Sequence, residues 1–192
     1  MRVLIAVLLL IFSLQSWTKA DNISDFEIEG MSIGDSALNF FSKNELNNAL
    51  EIFDYKDNKY RYYFLSFSKG KTYEALQITV KPEDKNFIIH GIDGNIAYEK
   101  NINDCYKKKK EVKKEINDFF GKSGIDDSGS HPMDKTGKSK YSRTSYKFDD
   151  GGFVEIICYD MSKKLEKKGK HDRFAITLKT KQFLKFLTYE AY

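Results

Sequence analysis

Apolar positions recur along the chain at two periods, and the change from one to the other divides it into elements. After a short extended lead, FEIE, the stretch GMSIGDSALNFFSKNEL reads as helical. Ser32-Ile33-Gly34-Asp35 fits a capping box with Asp in place of the usual Glu, and Ala37, Leu38 and Phe41 follow on one side. A second box, Ser42-Lys43-Asn44-Glu45, leads to Leu46, Ala49, Leu50 and Phe53 at helical spacing. Two short helices meeting near Phe41 and Ser42 are therefore expected.

The period then falls to two. Tyr60–Phe67 is aromatic-rich, Lys69-Gly70-Lys71 makes a turn, and Tyr73–Val80 places Leu76, Ile78 and Val80 on one face. Lys81-Pro82-Glu83-Asp84 breaks the run. Phe87–Ile92 resumes it, and Asp93-Gly94 has the composition of a hairpin turn. This is the pattern of an antiparallel three-strand meander.

Residues 102–120 carry the longest helical stripe: Ile102, Cys105, Val112, Ile116, Phe119 and Phe120. Asn103 or Asp104 could cap its start, and Gly121 could end it. The stretch 121–140, rich in Gly and Ser, reads as a loop. A second meander follows. Its strands are SRTSYKF, FVEIICYD after the Asp149-Asp150-Gly151-Gly152 turn, and the run around Phe174, Ile176 and Leu178. SKKLEKKGKH is a charged excursion, and Gln182–Tyr189 closes with a short helix. Grouped rather than alternating strands predict an α+β fold with antiparallel sheet packed on the long amphipathic helix 102–120. One sheet of about six strands is the economical arrangement; two halves split by the 121–140 loop are the alternative.

The first twenty residues carry a different message. Met1-Arg2, the apolar run Val3–Leu14, and Thr18 and Ala20 before a cleavage point form a secretory signal peptide. The run is short for a bilayer-spanning helix. The alternative is an uncleaved anchor. Cleavage after Ala20 leaves a single α+β domain, residues 21–192, in the periplasm or secreted, with no transmembrane segment. The chain's formal charge is +4; losing Arg2 and Lys19 turns 32 basic side chains into 30 against 28 acidic, a net +2. That balance predicts no nucleic-acid partner.

An oxidising compartment changes the reading of the two cysteines, Cys105 and Cys158. A disulfide is expected, worth about 4 kcal/mol by chain entropy for a loop of that length. A free buried thiol and a catalytic cysteine are the alternatives. The run KKKKEVKKE lies away from the apolar stripe and reads as a solvated helix face; its sharper reading, through Lys107–Lys114, is an anionic membrane surface.

Candidate chemistry centres on HPMDKTGKS, residues 131–139, which ends like a phosphate-binding loop. The match fails because Pro132 stands where the first Gly should be and no strand-to-helix context surrounds it. The stretch reads instead as a structured surface loop in which His131, Asp134, Lys135 and Lys138 are candidate ligand contacts. His90, His131 and His171 are isolated in sequence, and no metal, cofactor or catalytic spacing is present. The expectation is a non-enzymatic binding domain for a protein, an envelope component or a small ligand. An envelope hydrolase whose residues converge only in three dimensions is the alternative.

The runs IEGMSIGDSALNFFSKNEL, INDCYKKKKEV, HPMDKTGKS and GGFVEIICYDMSKK together resemble a group of uncharacterised small exported proteins of AT-rich marine bacteria. The resemblance spans nearly the whole mature chain and implies no activity. The GMS start of the first helix is also loosely similar to small outer-membrane assembly lipoproteins. That likeness covers only a short stretch and departs at the missing lipobox Cys and at the second meander.

Overall fold

A computed structural model describes residues 22–49, 55, 58–66, 72–99 and 101–191. The expected signal peptide, Leu50, Phe53 and the expected Lys69-Gly70-Lys71 turn lie outside the described residues. A 3-10 turn at Ile23–Asp25, another at Ala37–Asn39 and the helix α1 (Lys43–Asn48) precede the sheet. The strands β1 (Arg61–Ser66), β2 (Ala75–Val80) and β3 (Gly91–Ala97) then lead into the long helix α2 (Ile102–Phe120). After it come β4 (Ile125–Ser130), β5 (Lys140–Lys147), β6 (Phe153–Asp160), α3 (Lys163–Glu166), β7 (Arg173–Lys179) and α4 (Lys181–Tyr189).

The fold is α+β, and seven strands among the described residues form one antiparallel sheet in the order β1-β2-β3-β7-β6-β5-β4. It is not two half-sheets, because β7 joins them. On one side β7 pairs with β3, with Ile92 opposite Leu178 and Ile96 opposite Phe174. On the other it pairs with β6, with Ile156 opposite Ile176 and Cys158 opposite Phe174. Alternation along each strand sends these residues to one face, where Leu76, Ile78, Ile92, Val154, Ile156, Phe174, Ile176 and Leu178 are buried with Cys105, Val112, Ile116 and Phe120 of α2. Each fully buried Ile, Leu or Phe contributes roughly 1.5–3 kcal/mol. Cys105 and Cys158 are bridged, closing a separation of 53 residues with Cα atoms 6.0 Å apart. Lys109 Nζ donates to Ser142 Oγ (2.8 Å) further along the same helix. The expected cap of α2 moves back to Asn101, whose side chain accepts from Asn103 N–H (3.1 Å). Gly121 ends the helix with φ at 61°. Phe119, counted with the apolar stripe, is 48% exposed.

Four further expectations are corrected. The 121–140 loop contains a seventh strand, β4, at the sheet edge. Its sequence, IDDSGS, has low β-propensity, but the hairpin with β5 imposes the pairing, from Ile125 opposite Ser145 to Ser130 opposite Lys140. The first expected helix is a turn. Ser32 N–H does donate to the Asp35 carboxylate (2.8 Å), but Gly34 sits at φ +95° and Ser36 bridges to Ile88, which pulls the backbone out of helical geometry. Asp93-Gly94 lies inside β3 instead of turning. Phe87–Ile89 is shaped by Asp84, whose carboxylate accepts from Asn86 and Ile88 N–H (2.9 and 3.1 Å), and the strand starts only at Gly91. The glycines of β3 serve close packing: a Cβ at Gly91 would stand 2.9 Å from the Phe183 ring, and one at Gly94 would stand 2.7 Å from Tyr73.

Candidate functional site

The sheet has a second face, and it is built differently. The register places four rows of side chains across it. One row runs Lys147, Phe153, Lys179, Gly91, Thr79 and Tyr62. The next runs Ser145, Glu155, Thr177, Asp93, Gln77 and Phe64. The third runs Asp127, Arg143, Ile157, Ala175, Asn95, Ala75 and Ser66. The fourth runs Gly129, Tyr141, Tyr159, Arg173 and Ala97. Helix α4 covers one end. Thr180 caps it through Phe183 N–H (3.2 Å), and Phe183 and Phe186 close over Tyr55, Tyr60 and Tyr62 in a second, smaller aromatic cluster. The rest of the face is not covered by a helix: Ile157, Ala175 and Thr177 are buried among their neighbours, while Phe153, Glu155, Tyr159, Arg143, Arg173 and Lys179 are half-buried.

What the open part carries is a set of cations lying over rings. Arg173 stands 4.2 Å from the Tyr159 ring centre, Arg143 5.3 Å from Tyr141, and Lys179 Nζ 5.8 Å from Phe153. Two of these pairs, Tyr159–Arg173 and Phe153–Lys179, are direct cross-strand neighbours, so strand pairing alone sets them at contact distance. Acids thread between them. Asp127 accepts from Arg143 Nη2 (2.6 Å) and from Tyr141 Oη (3.0 Å), while Glu155 lies 3.5 Å from Arg143 Nη1. Asp93 accepts from Thr177 Oγ1 in the middle of the face. Burial pushes the Asp93 carboxyl above its ordinary range, against the pull of the Lys179 charge and the Thr177 hydroxyl. Burial also pushes the Tyr159 phenol up to about 12 and pulls the Arg173 guanidinium down.

At the end away from α4, the turn after α3 overhangs the strands and leaves a hollow of about 430 Å³. Phe64, Gln77, Asn95, Lys170, His171 and Arg173 line it together with Glu74. Glu74 already accepts from Ala97 N–H (3.1 Å).

The sequence-derived candidates fall in several places. HPMDKTGKS is the β4–β5 hairpin loop, closed by His131 N–H donating to Ser139 O (2.9 Å). Asp134 turns inward. Its carboxylate accepts from Ser139 Oγ (2.6 Å) and N–H (2.9 Å), Thr136 Oγ1 (2.6 Å) and N–H (3.0 Å), and Ser162 Oγ (2.9 Å). Those bonds, led by Ser139 and Thr136, hold it far below the ordinary carboxylate range. The residues that looked like a phosphate loop thus organise a hairpin around a buried anion of their own. Lys135 and Lys138 are exposed. His131 alone reaches the open face, edge-on to Tyr159 at 5.3 Å, with Nδ1 accepting from Met133 N–H (3.2 Å).

His90 approaches Thr180 Oγ1 at 3.5 Å, and His171 stands 3.6 Å from Glu99 at the exposed rim. The lysine run divides: Lys109 and Lys113 turn toward the sheet, to Ser142 and Asp126, and Lys114 pairs with Asp118 along the helix. Among the described residues, no group of three or more His, Cys, Asp or Glu side chains could hold a metal ion. No described helix is long and apolar enough to cross a membrane.

The open face escaped sequence reading because its pairs come from neighbouring strands. The alternation of Glu155, Ile157 and Tyr159 in β6 was the one available sign. Compared with family models, curated proteins and solved structures, the chain gives no match.

Proposed function

We propose that this chain is an exported, non-enzymatic binding domain whose open sheet face docks a partner protein. The observation that carries the reading is the set of cation-over-ring pairs, Arg173–Tyr159, Arg143–Tyr141 and Lys179–Phe153, on a sheet whose other face is filled by its own core. Arg and Tyr dominate the residues that anchor protein interfaces, because they bring large contact area together with directional hydrogen bonds. Strand-mounted side chains lose little freedom on docking, so the face is prepared before the partner arrives. The signal-peptide pattern and the Cys105–Cys158 bridge support an oxidising, exported setting.

Two measurements test this. Intact mass of the protein from its own envelope fraction should correspond to a chain starting at Asp21 with two hydrogens lost; a chain retaining residues 1–20, or a reduced pair, contradicts export with oxidation. In-cell photo-crosslinking should capture a protein from a probe at Ser145 on the open face and none from a probe at Lys114 on the exposed side of α2. Capture from Lys114 alone would overturn the assignment of the face.

A further inference from the structure

The hollow at the end of the open face holds a cation with nothing to bind. Among the described residues, the Arg173 guanidinium makes no hydrogen bond and no ion pair. It lies half-buried with its Cζ 4.2 Å from the Tyr159 ring centre. A guanidinium held against a ring keeps its N–H donors available for a ligand. In the same hollow the side-chain amides of Gln77 and Asn95 are without hydrogen-bond partners among the described residues, and Lys170 likewise has none. His171 is at the rim beside Glu99. The acids nearby are already engaged: Glu74 takes Ala97 N–H and Asp93 takes Thr177 Oγ1. Phe64 supplies an apolar wall.

We infer that this hollow is a carboxylate-binding subsite, in which Arg173 receives the two oxygens of a ligand carboxylate side by side, with Lys170 adding charge and Asn95 and Gln77 donating to it or to the adjoining amide. Guanidinium and carboxylate match in plane and spacing, which makes such a fork both strong and selective. A hollow of about 430 Å³ lies within the size range of small-ligand clefts and holds a residue or two of a peptide end. The inference rests on the open face being the binding face and names the chemistry of its anchor. The carboxylate could be the end of a peptide chain or an acidic side chain, and the experiment separates the two.

Three acetylated peptides of otherwise equal sequence serve as probes: one with a free C-terminal carboxylate, one C-terminally amidated, and one amidated but carrying an internal Glu. Binding is followed on the full mature protein by NMR, using the backbone amides and the side-chain NH₂ signals of Gln77 and Asn95. At least one carboxylate-bearing peptide should shift those signals, at least about tenfold more tightly than the fully amidated one. A preference for the free end identifies a chain terminus, and a preference for internal Glu identifies an acidic side chain. Arg173→Lys keeps the charge but loses the fork, and should weaken binding about tenfold. Arg173→Ala should abolish it, with the remaining spectrum confirming the fold. Equal response to all three peptides, or unchanged binding by Arg173→Lys and Arg173→Ala, overturns the subsite. If Ser145 crosslinks persist in cells with Arg173→Ala, the subsite fails while the face stands; if the Ser145 probe captures nothing, the face itself fails.

Discussion

The two faces of the sheet use the same strands for opposite ends. On the covered face, Val154, Ile156 and Cys158 of β6 meet Leu178, Ile176 and Phe174 of β7, all buried and closed over by α2. One residue out of phase, Phe153, Glu155, Ile157 and Tyr159 meet Lys179, Thr177, Ala175 and Arg173 on the open face, where charge, hydroxyl and ring alternate. A buried apolar side chain can serve only its own neighbours. Arg173, half-buried over its ring, has satisfied its stem and kept its hydrogen-bonding end available. The first face should therefore govern stability and the second should govern recognition, and substitutions can separate them.

The largest expected effect falls on the covered face. Replacing both Cys105 and Cys158 with Ser should cost about 4 kcal/mol, from the entropy regained by a loop of 53 residues. In a chain of this size that lowers the melting temperature by roughly 10 °C or more. A calorimetric change of only a degree or two would mean the helix contacts hold the unfolded chain's entropy by other means.

Next comes the inward carboxylate of the hairpin loop. Asp134 is depressed in the folded state, so its contribution is fully present above the ordinary carboxylate range, near 3.8, and is lost as pH falls below it. Asp134→Asn should therefore melt well below the parent at pH 7 and converge with it in strong acid. A constant difference at all pH values would show that the charge is not what the loop uses.

Asp93 reverses the sign. Its carboxyl is raised, so its favourable contribution is present at low pH and lost as pH rises through the elevated value. Asp93→Asn keeps an oxygen for Thr177 and should melt a few degrees higher than the parent at pH 7, with the gain shrinking on acidification. A loss of stability at neutral pH would mean that attraction to Lys179 outweighs burial. A gain would mark Asp93 as kept at some expense of stability, as recognition residues often are.

The smallest expected effect sharpens the comparison most. Arg143→Ala removes a surface cation that joins Asp127, Glu155 and the Tyr141 ring, and should change stability by less than about 1 kcal/mol in urea melts. The same variant should weaken in-cell capture from the open face. A stability loss above about 2 kcal/mol would assign the ladder to the fold instead of to a partner.

Much of the covered face was legible in the sequence because burial writes a period. The antiparallel strands, the buried positions Cys105, Val112, Ile116 and Phe120, and the Ser42–Glu45 capping box were read from it, the last with Ser42 N–H donating to Glu45 (2.7 Å). β4 and β3 were not. IDDSGS becomes a strand through a hairpin anchored at Asp134, and GIDGNIA uses glycines for close approach where turn chemistry was read. The candidate site was less legible still. Tyr159 and Arg173 are opposite through the register of β6 on β7, and no local pattern announces which residues the charged stretch between the two strands brings together.

The insertion of β7 between β3 and β6 also sets a schedule for the molecule. β7 is the last strand in the chain, yet it occupies the middle of the sheet. As the polypeptide emerges N-terminus first, β1–β3 and β4–β6 can each form from nearby residues while the backbone edges of β3 and β6 stand unpaired. Pairing Gly91 with Lys179 closes a long stretch of chain, a slow step by comparison with hairpin formation. Until it occurs, two unpaired edges invite strands from other molecules. The vulnerable moment of this protein is thus late in its synthesis, and Arg173–Lys179, which forms the centre of the finished sheet, is also the segment whose arrival ends it.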